Sequence, residues 1–226
     1  MAPEVRSTIS QLVAVDDDKR DEKWRQTLYR AIVLAEYKVD PEAIQFGPDD
    51  FPYLILQAQE GDDNEDILSF QDVLGEAVAE EVGLVIKAPS GDLAWVFSFG
   101  SLWAYQEFQR FESVPDDSVA PELKEGESRE ILVAAPSEEF LPNNVRDALR
   151  SFLSDDLGVD EPKMFMVVDP AYNPPQALVF SVFPEDFENH DEFEMGYSRL
   201  GWFLPDWYRL GHVSEDSDLR EHFQAF

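Results

Sequence analysis

The sequence predicts an α+β fold: two βαββα(β)-type units with mixed or antiparallel sheets covered by helices, preceded by an N-terminal helix. Three observations lead there. Apolar residues recur at helical spacing in segments that alternate with short β-branched and aromatic runs. Two pairs of those runs are joined by turn residues and so form hairpins, which are antiparallel and argue against a doubly wound parallel sheet. The stretch 113–129 (SVPDDSVAPELKEGESR) is rich in Pro and charge, poor in large apolar groups, and divides the two units as a linker. The expected partition is an N-terminal arm and helix over 1–44, a first unit over 45–112, the linker, a second unit over 130–213 and a tail over 214–226.

Each element follows from local chemistry. Residues 1–22 are weakly patterned and close on the charge run Asp16–Glu22, a short helix or a frayed arm followed by a solvated loop. Trp24, Leu28, Ala31, Ile32 and Ala35 share one helical face, and Pro41 stops that helix. Phe51–Gln59 (FPYLILQAQ) reads as a strand ending in Gly61-Asp62-Asp63-Asn64. Ser69 and Asp72 have capping-box spacing, and Phe70, Val73, Leu74, Ala77 and Val78 then form an apolar stripe that Gly83 ends. Leu84–Ala88 and Leu93–Phe97 are hairpin strands about the turn Pro89-Ser90-Gly91-Asp92, and Gly100-Ser101 caps a helix reaching Phe111.

The second unit opens with a strand at Ile131–Ala135. Leu141, Val145, Ala148, Leu149, Phe152 and Leu153 make a helical stripe with Pro142 at its first position. Strands follow at Lys163–Val168 and Ala177–Phe183. Asn189 caps a helix with Asp191 and Glu192 in its first turn, running to Leu200 and stopping at Gly201. Trp207–Val213 is a last strand, and the tail is polar apart from Phe223 and Phe226. Strand, helix, hairpin and helix therefore recur over 51–111 and 131–200, as a repeat of pattern without residue identity.

The chain carries 48 Asp and Glu against 17 Lys and Arg, a net charge of −31. Such a surface repels nucleic acid and anionic membranes and attracts a basic protein partner; it also serves solubility alone. Apolar residues make up 44% of the sequence, enough for a packed core, and no apolar run approaches the length of a membrane span. There is no cysteine, so disulfides, zinc-thiolate sites and Cys nucleophiles are excluded. The start of the sequence has no secretory-signal pattern, and the expected compartment is the cytoplasm.

Motifs for chemistry are sparse. G-x-x-x-x-G-K-[ST], G-x-G-x-x-G, G-x-S-x-G and H-E-x-x-H are all missing. Asp62-Asp63-Asn64-Glu65-Asp66 lacks the Gly and Glu of a calcium loop, and the Asp16–Asp18 and Asp155-Asp156 runs read as solvated acid. The histidines, His190, His212 and His222, come late, without an evident nucleophile. No catalytic, metal or cofactor residue is assigned, and the expectation is a non-enzymatic protein without cofactor. The densest feature is the interleaving of Phe183, Phe187, Phe193, Tyr197, Trp202, Phe203, Trp207 and Tyr208 with acids. The aromatics either fill the core or, with the acids, present a face to Arg and Lys. On the second reading the partner-binding residues are Glu185, Asp186, Glu188, Asp191, Glu192, Glu194, Trp202 and Trp207. Trp95, Phe97, Phe99, Trp103, Tyr105, Phe108 and Phe111 form a second aromatic group, expected in the core of the first unit.

The segment Ile131–Val213 resembles the C-terminal domain of the SseB (enhanced serine sensitivity) family. The resembling features are a strand ending in Ala135-Pro136, Leu141-Pro142 opening a helix with Val145 and Leu149, strands at 163–168 and 177–183, and the acidic-aromatic helix. The resemblance implies a bacterial cytoplasmic protein and transfers no site residue. In composition and size alone the chain is also similar to acidic α+β immunity proteins. The expected function is that of an acidic protein-interaction or regulatory protein that binds a basic protein surface. The alternatives are an immunity protein that neutralises a basic toxin, and an enzyme built on carboxylates and a divalent cation.

Overall fold

The computed structural model describes residues 9–59, 67–111, 132–170, 174–214 and 216–226, with the backbone alone for 40–43. The fold is α+β, in two units, Met1–Phe111 and Glu112–Phe226. The stretch 113–129 lies outside the described residues.

In the first unit, helix α1 (Glu22–Leu34) is capped by Asp21, whose carboxylate accepts from the Trp24 amide at 2.8 Å. It buries Trp24, Leu28, Tyr29, Ala31 and Ile32. The helix ends at Leu34, well before the expected stop at Pro41, because Ala35 is extended and Tyr37 already lies in a strand. The Tyr37 hydroxyl donates back to the Ile32 carbonyl at 2.7 Å, a second donor to an acceptor that the Ala35 amide reaches at 3.2 Å. Strand β1 (Glu36–Phe46) has no counterpart in the sequence reading, which took Pro41 as a helix stop. Its ladder with β2 (Pro52–Ala58) is interrupted between Val39 and Ile44, and Pro41 falls inside that interruption, where no ladder amide is required.

The capping box is present: the Ser69 hydroxyl accepts from the Asp72 amide, and the Asp72 carboxylate accepts from Ser69, ahead of α2 (Phe70–Ala79). The five-stranded sheet runs β3 (Leu68–Ser69), β1, β2, β4 (Gly83–Lys87), β5 (Leu93–Phe97); its one parallel pair is β2 with β4. Its register puts Tyr37, Leu54, Leu56, Leu84, Ile86 and Phe97 on one buried face. The helices cover that face: Tyr29 of α1 lies 5.7 Å from Phe97, and Phe70 of α2 lies 6.5 Å from both Phe97 and Tyr37. On the opposite face the Tyr53 ring lies over Gly83, where a Cβ would fall 2.5 Å from the ring.

Helix α3 (Phe99–Phe108) is capped by Ser98, just ahead of Gly100-Ser101, and stops short of Phe111. Gln109 adopts a left-handed conformation (φ 55°) and turns the chain back. Phe111 then stacks on Tyr105 at 4.3 Å and on Phe97 at 4.5 Å. An apolar residue at helical spacing had made the helix look longer. The aromatic group of this unit is core except Phe108, which is 40% exposed, and Trp95, half-buried against Trp24.

In the second unit, β7 (Lys163–Val168) is central. One edge pairs with β8 (Gln176–Phe180); the other is shared end to end by β6 (Leu132–Ala134) and β10 (Gln224–Ala225). Beyond β8 lies β9 (Arg209–Gly211), parallel to it. Both sheet faces are buried. Met164, Leu178 and Phe180 line one, and α4 (Asn143–Asp155) and α5 (His190–Ser198) bring buried stripes. Phe165, Val167 and Val179 line the other and pack with Val213, Leu219 and Phe223. The tail is thus a structural layer: it supplies β10, covers a sheet face and fills part of the core. Its few apolar residues looked like noise because their partners are about 40–60 positions upstream in β7 and β8. Asn189 caps α5 as expected, accepting from the Glu192 amide at 3.0 Å, and a 3-10 segment, Arg199–Phe203, carries the chain past the expected stop at Gly201.

The internal repeat is in a different phase from the one read in the sequence. Over 51–111 the strand before the helix pairs parallel with the hairpin (β2 with β4), whereas over 131–200 it pairs antiparallel (β6 with β7). What recurs is helix, antiparallel hairpin, helix, parallel strand: α1-β1-β2-α2-β4 and α4-β7-β8-α5-β9. No helix among the described residues is long and apolar enough to cross a membrane.

Candidate functional site

The site is built where β8 leaves the sheet. Pro184–Asp186 form a 3-10 turn closed by the Asp186 carboxylate, whose Oδ2 accepts from the Phe183 amide at 3.1 Å. This turn places Phe183, Asp186 and Phe187 along one wall of an open cleft of about 640 Å³. The loop after α4 supplies Leu157, Gly158 and Val159, and the start of β7 supplies Glu161 and Lys163. The tail supplies Arg220 and Phe223.

Three polar interactions organise the cleft. The Arg220 guanidinium stands 3.6 Å above the centre of the Phe183 ring, a cation–π stack. The Lys163 ammonium pairs with Glu161 at 3.3 Å. The Ser181 hydroxyl accepts from the Lys163 amide at 2.9 Å, fixing the floor. Among the described residues the carboxylates of Glu161 and Asp186 take only the contacts just named.

Beside the cleft runs α5. Phe193 and Tyr197 point inward; Phe193 meets the cleft residue Phe187 edge-on at 5.6 Å. Asp191, Glu194, Met195 and Ser198 are exposed and lie at i, i+3, i+4 and i+7, an outward stripe. Met195 is 65% exposed among these acids. The His190 imidazole reaches Glu194 at 3.2 Å along the same helix.

Of the residues predicted to bind a partner, Glu185, Asp186, Glu188, Asp191 and Glu194 are exposed and consecutive along this ridge, and Glu192 is half-buried. The tryptophans differ. Trp202 is 8% exposed and packs on Phe203, 5.0 Å away, and Trp207 is half-buried beside Tyr208. Trp202 is therefore a core residue: the aromatics of this run alternate inward while the acids alternate outward. Lys163, Glu161 and Arg220 were not legible as site residues. They are brought in by β7 and the tail, and no local pattern marks them.

Two tyrosines tie the unit together. The Tyr197 hydroxyl accepts from the Phe180 amide at 3.3 Å and donates to the Gly211 carbonyl, so it bridges the ends of β8 and β9. Burial drives its pKa far above the ordinary value, and the Phe180 amide pulls the other way. The Tyr208 ring stacks on Phe140 at 4.2 Å, its hydroxyl donates to the Phe140 carbonyl, and burial pushes its pKa up to about 12.

His190 and His212 both meet the Phe193 ring, and His222 meets Phe165. Among the described residues no group of three or more Asp, Glu or His is placed to hold a metal ion. No family model, curated protein or solved structure matches the chain.

Proposed function

We propose that this is a non-catalytic interaction protein of the bacterial cytoplasm that docks a basic protein surface on the outward face of α5 and the turn before it. The observation that carries the reading is the Asp191, Glu194, Met195 stripe, contiguous with Glu185, Asp186 and Glu188. Exposed acids supply electrostatic complementarity, and an exposed methionine supplies an adaptable apolar contact that solubility alone does not require. The net charge of −31 supports a basic partner through long-range steering. The resemblance of 131–213 to SseB C-terminal domains supports the same reading.

The test is capture at physiological salt with matched charge reversals. A triple variant, Glu188→Lys, Asp191→Lys and Glu194→Lys, is compared with Glu76→Lys, Glu80→Lys and Glu81→Lys in the first unit, which are equally exposed. Loss of a stoichiometric basic partner in the first variant and retention in the second is the expected result. Equal loss in both reduces the acidity to a nonspecific field and removes the assignment.

A further inference from the structure

We infer that the cleft beside α5 receives an arginine side chain presented by a basic protein partner. The inference rests on the docking reading above and names what the partner inserts. Guanidinium is the chemistry the cleft already displays, because the Arg220 guanidinium carbon stands 3.6 Å over the centre of the Phe183 ring. A second aromatic wall stands four residues on: Phe187, half-buried, lines the same cleft. Aliphatic contact for an arginine stem comes from Leu157, Val159 and Val182.

The carboxylates decide the sign of the ligand. Asp186 is exposed and spends Oδ2 on the Phe183 amide, while its other oxygen takes no hydrogen bond among the described residues. Glu161 is bound by Lys163 alone among them, and its side chain is 81% exposed. Two carboxylates with acceptor capacity left, next to aromatic faces, suit a planar donor that bonds and stacks at once. An anionic ligand meets the opposite situation. Lys163 and Arg220 are matched in number by Glu161 and Asp186, so the cleft offers an anion no excess of positive charge, and the surrounding field belongs to a chain of −31. Arginine is favoured over lysine because an ammonium lacks the plane that stacks.

The experiment titrates the full-length, isotope-labelled chain with Nα-acetyl-arginine amide and follows backbone amide resonances. Nα-acetyl-citrulline amide, of the same shape without charge, is the control. The expected result is saturable shifts confined to Lys163, Val182–Phe187 and Leu219–Phe223. Citrulline binds at least about tenfold more weakly, and Asp186→Asn weakens the arginine probe by about tenfold, the scale of one charge-assisted hydrogen bond. Asparagine keeps the acceptor that closes the turn, so the variant folds; Glu161→Gln provides a second test on a separate segment. Shifts that do not saturate, that citrulline reproduces, or that ignore both substitutions overturn the inference. The outcomes separate it from the docking reading. Partner capture that depends on the α5 acids, with a cleft indifferent to arginine amide, removes the inference alone. A cleft that binds arginine amide in a chain that captures no basic partner removes the docking reading, and with it the partner as the source of the arginine, and leaves only the guanidinium specificity of the cleft.

Discussion

Replacing Tyr197 by phenylalanine tests how the second unit holds its parallel strand. The β8–β9 ladder has three registered pairs, ending at Val179 and Gly211. The Tyr197 hydroxyl extends the link by one step, receiving the Phe180 amide and donating to the Gly211 carbonyl. Phenylalanine keeps the ring, which stacks on Phe193 at 5.3 Å, and so leaves the packing intact. What it removes is the partner of two main-chain groups in a core where Tyr197 is 2% exposed. A buried group left unsatisfied costs about 1–3 kcal/mol, and the 3.3 Å bond is the weaker of the two. The expected loss is about 2–3 kcal/mol. For a unit of about a hundred residues that lowers the midpoint by about 10 °C, taking about 4 °C per kcal/mol. The assay is urea unfolding of the full chain together with hydrogen exchange read by mass spectrometry. Protection should fall over 177–182 and 209–213, and the first unit should stay unchanged. A loss below about 0.5 kcal/mol, or exchange that rises equally in both units, refutes the bridging role.

Three further outcomes are expected. Gly83→Ala destabilises the first unit by about 2–3 kcal/mol in a denaturant titration, since the new Cβ would stand 2.5 Å from the Tyr53 ring and 2.7 Å from the Phe97 carbonyl oxygen; a variant as stable as the parent contradicts that packing. Ser69→Ala removes the capping box of α2 and costs about 1 kcal/mol by the same measurement. Stability also falls at alkaline pH. Tyr208 is raised to about 12 against an unfolded value near 10, so the stability tied to its neutral form is complete below about pH 10 and is lost as pH rises towards 12. Tyr37 and Tyr197 are raised by burial beyond that window and extend the decline. Tyrosinate absorbance that titrates fully near pH 10 with no loss of the folded state would remove this account.

Local signals were read well where the physics is local. The Ser69–Asp72 capping box, the Asn189 cap and both hairpins are present, because caps and turns are decided by residues three or four apart. β1 was missed because Asp40-Pro41-Glu42 reads as a breaker, and only the paired strand β2 shows that the ladder is already interrupted there. The length of α3 was overread because Phe111 keeps helical spacing while a left-handed Gln109 sends it back onto Tyr105. The tail was read as polar because its apolar residues are few. Their worth depends on the second face of the β7–β8 hairpin, a face that a one-sided sheet would leave to solvent.

The candidate site shows the same division. The exposure of Asp191 and Glu194 was legible because exposure on α5 follows helical period, and that period also sends Phe193 and Tyr197 inward and leaves Glu192 half-buried. Trp202 was misplaced because the 3-10 turn Arg199–Phe203 breaks the period just where the aromatic run continues, so its face does not follow from α5. The cleft was invisible because β7, the turn after β8 and the tail meet only once the tail lies across the sheet. Arg220 belongs to both descriptions: it helps hold the tail down by stacking on Phe183, and in doing so it displays the guanidinium chemistry of the cleft. Truncating the tail to probe the site would therefore strip a core layer and an edge strand along with it. Single substitutions at Asp186 and Glu161, which leave Leu219 and Phe223 packed, separate recognition from folding.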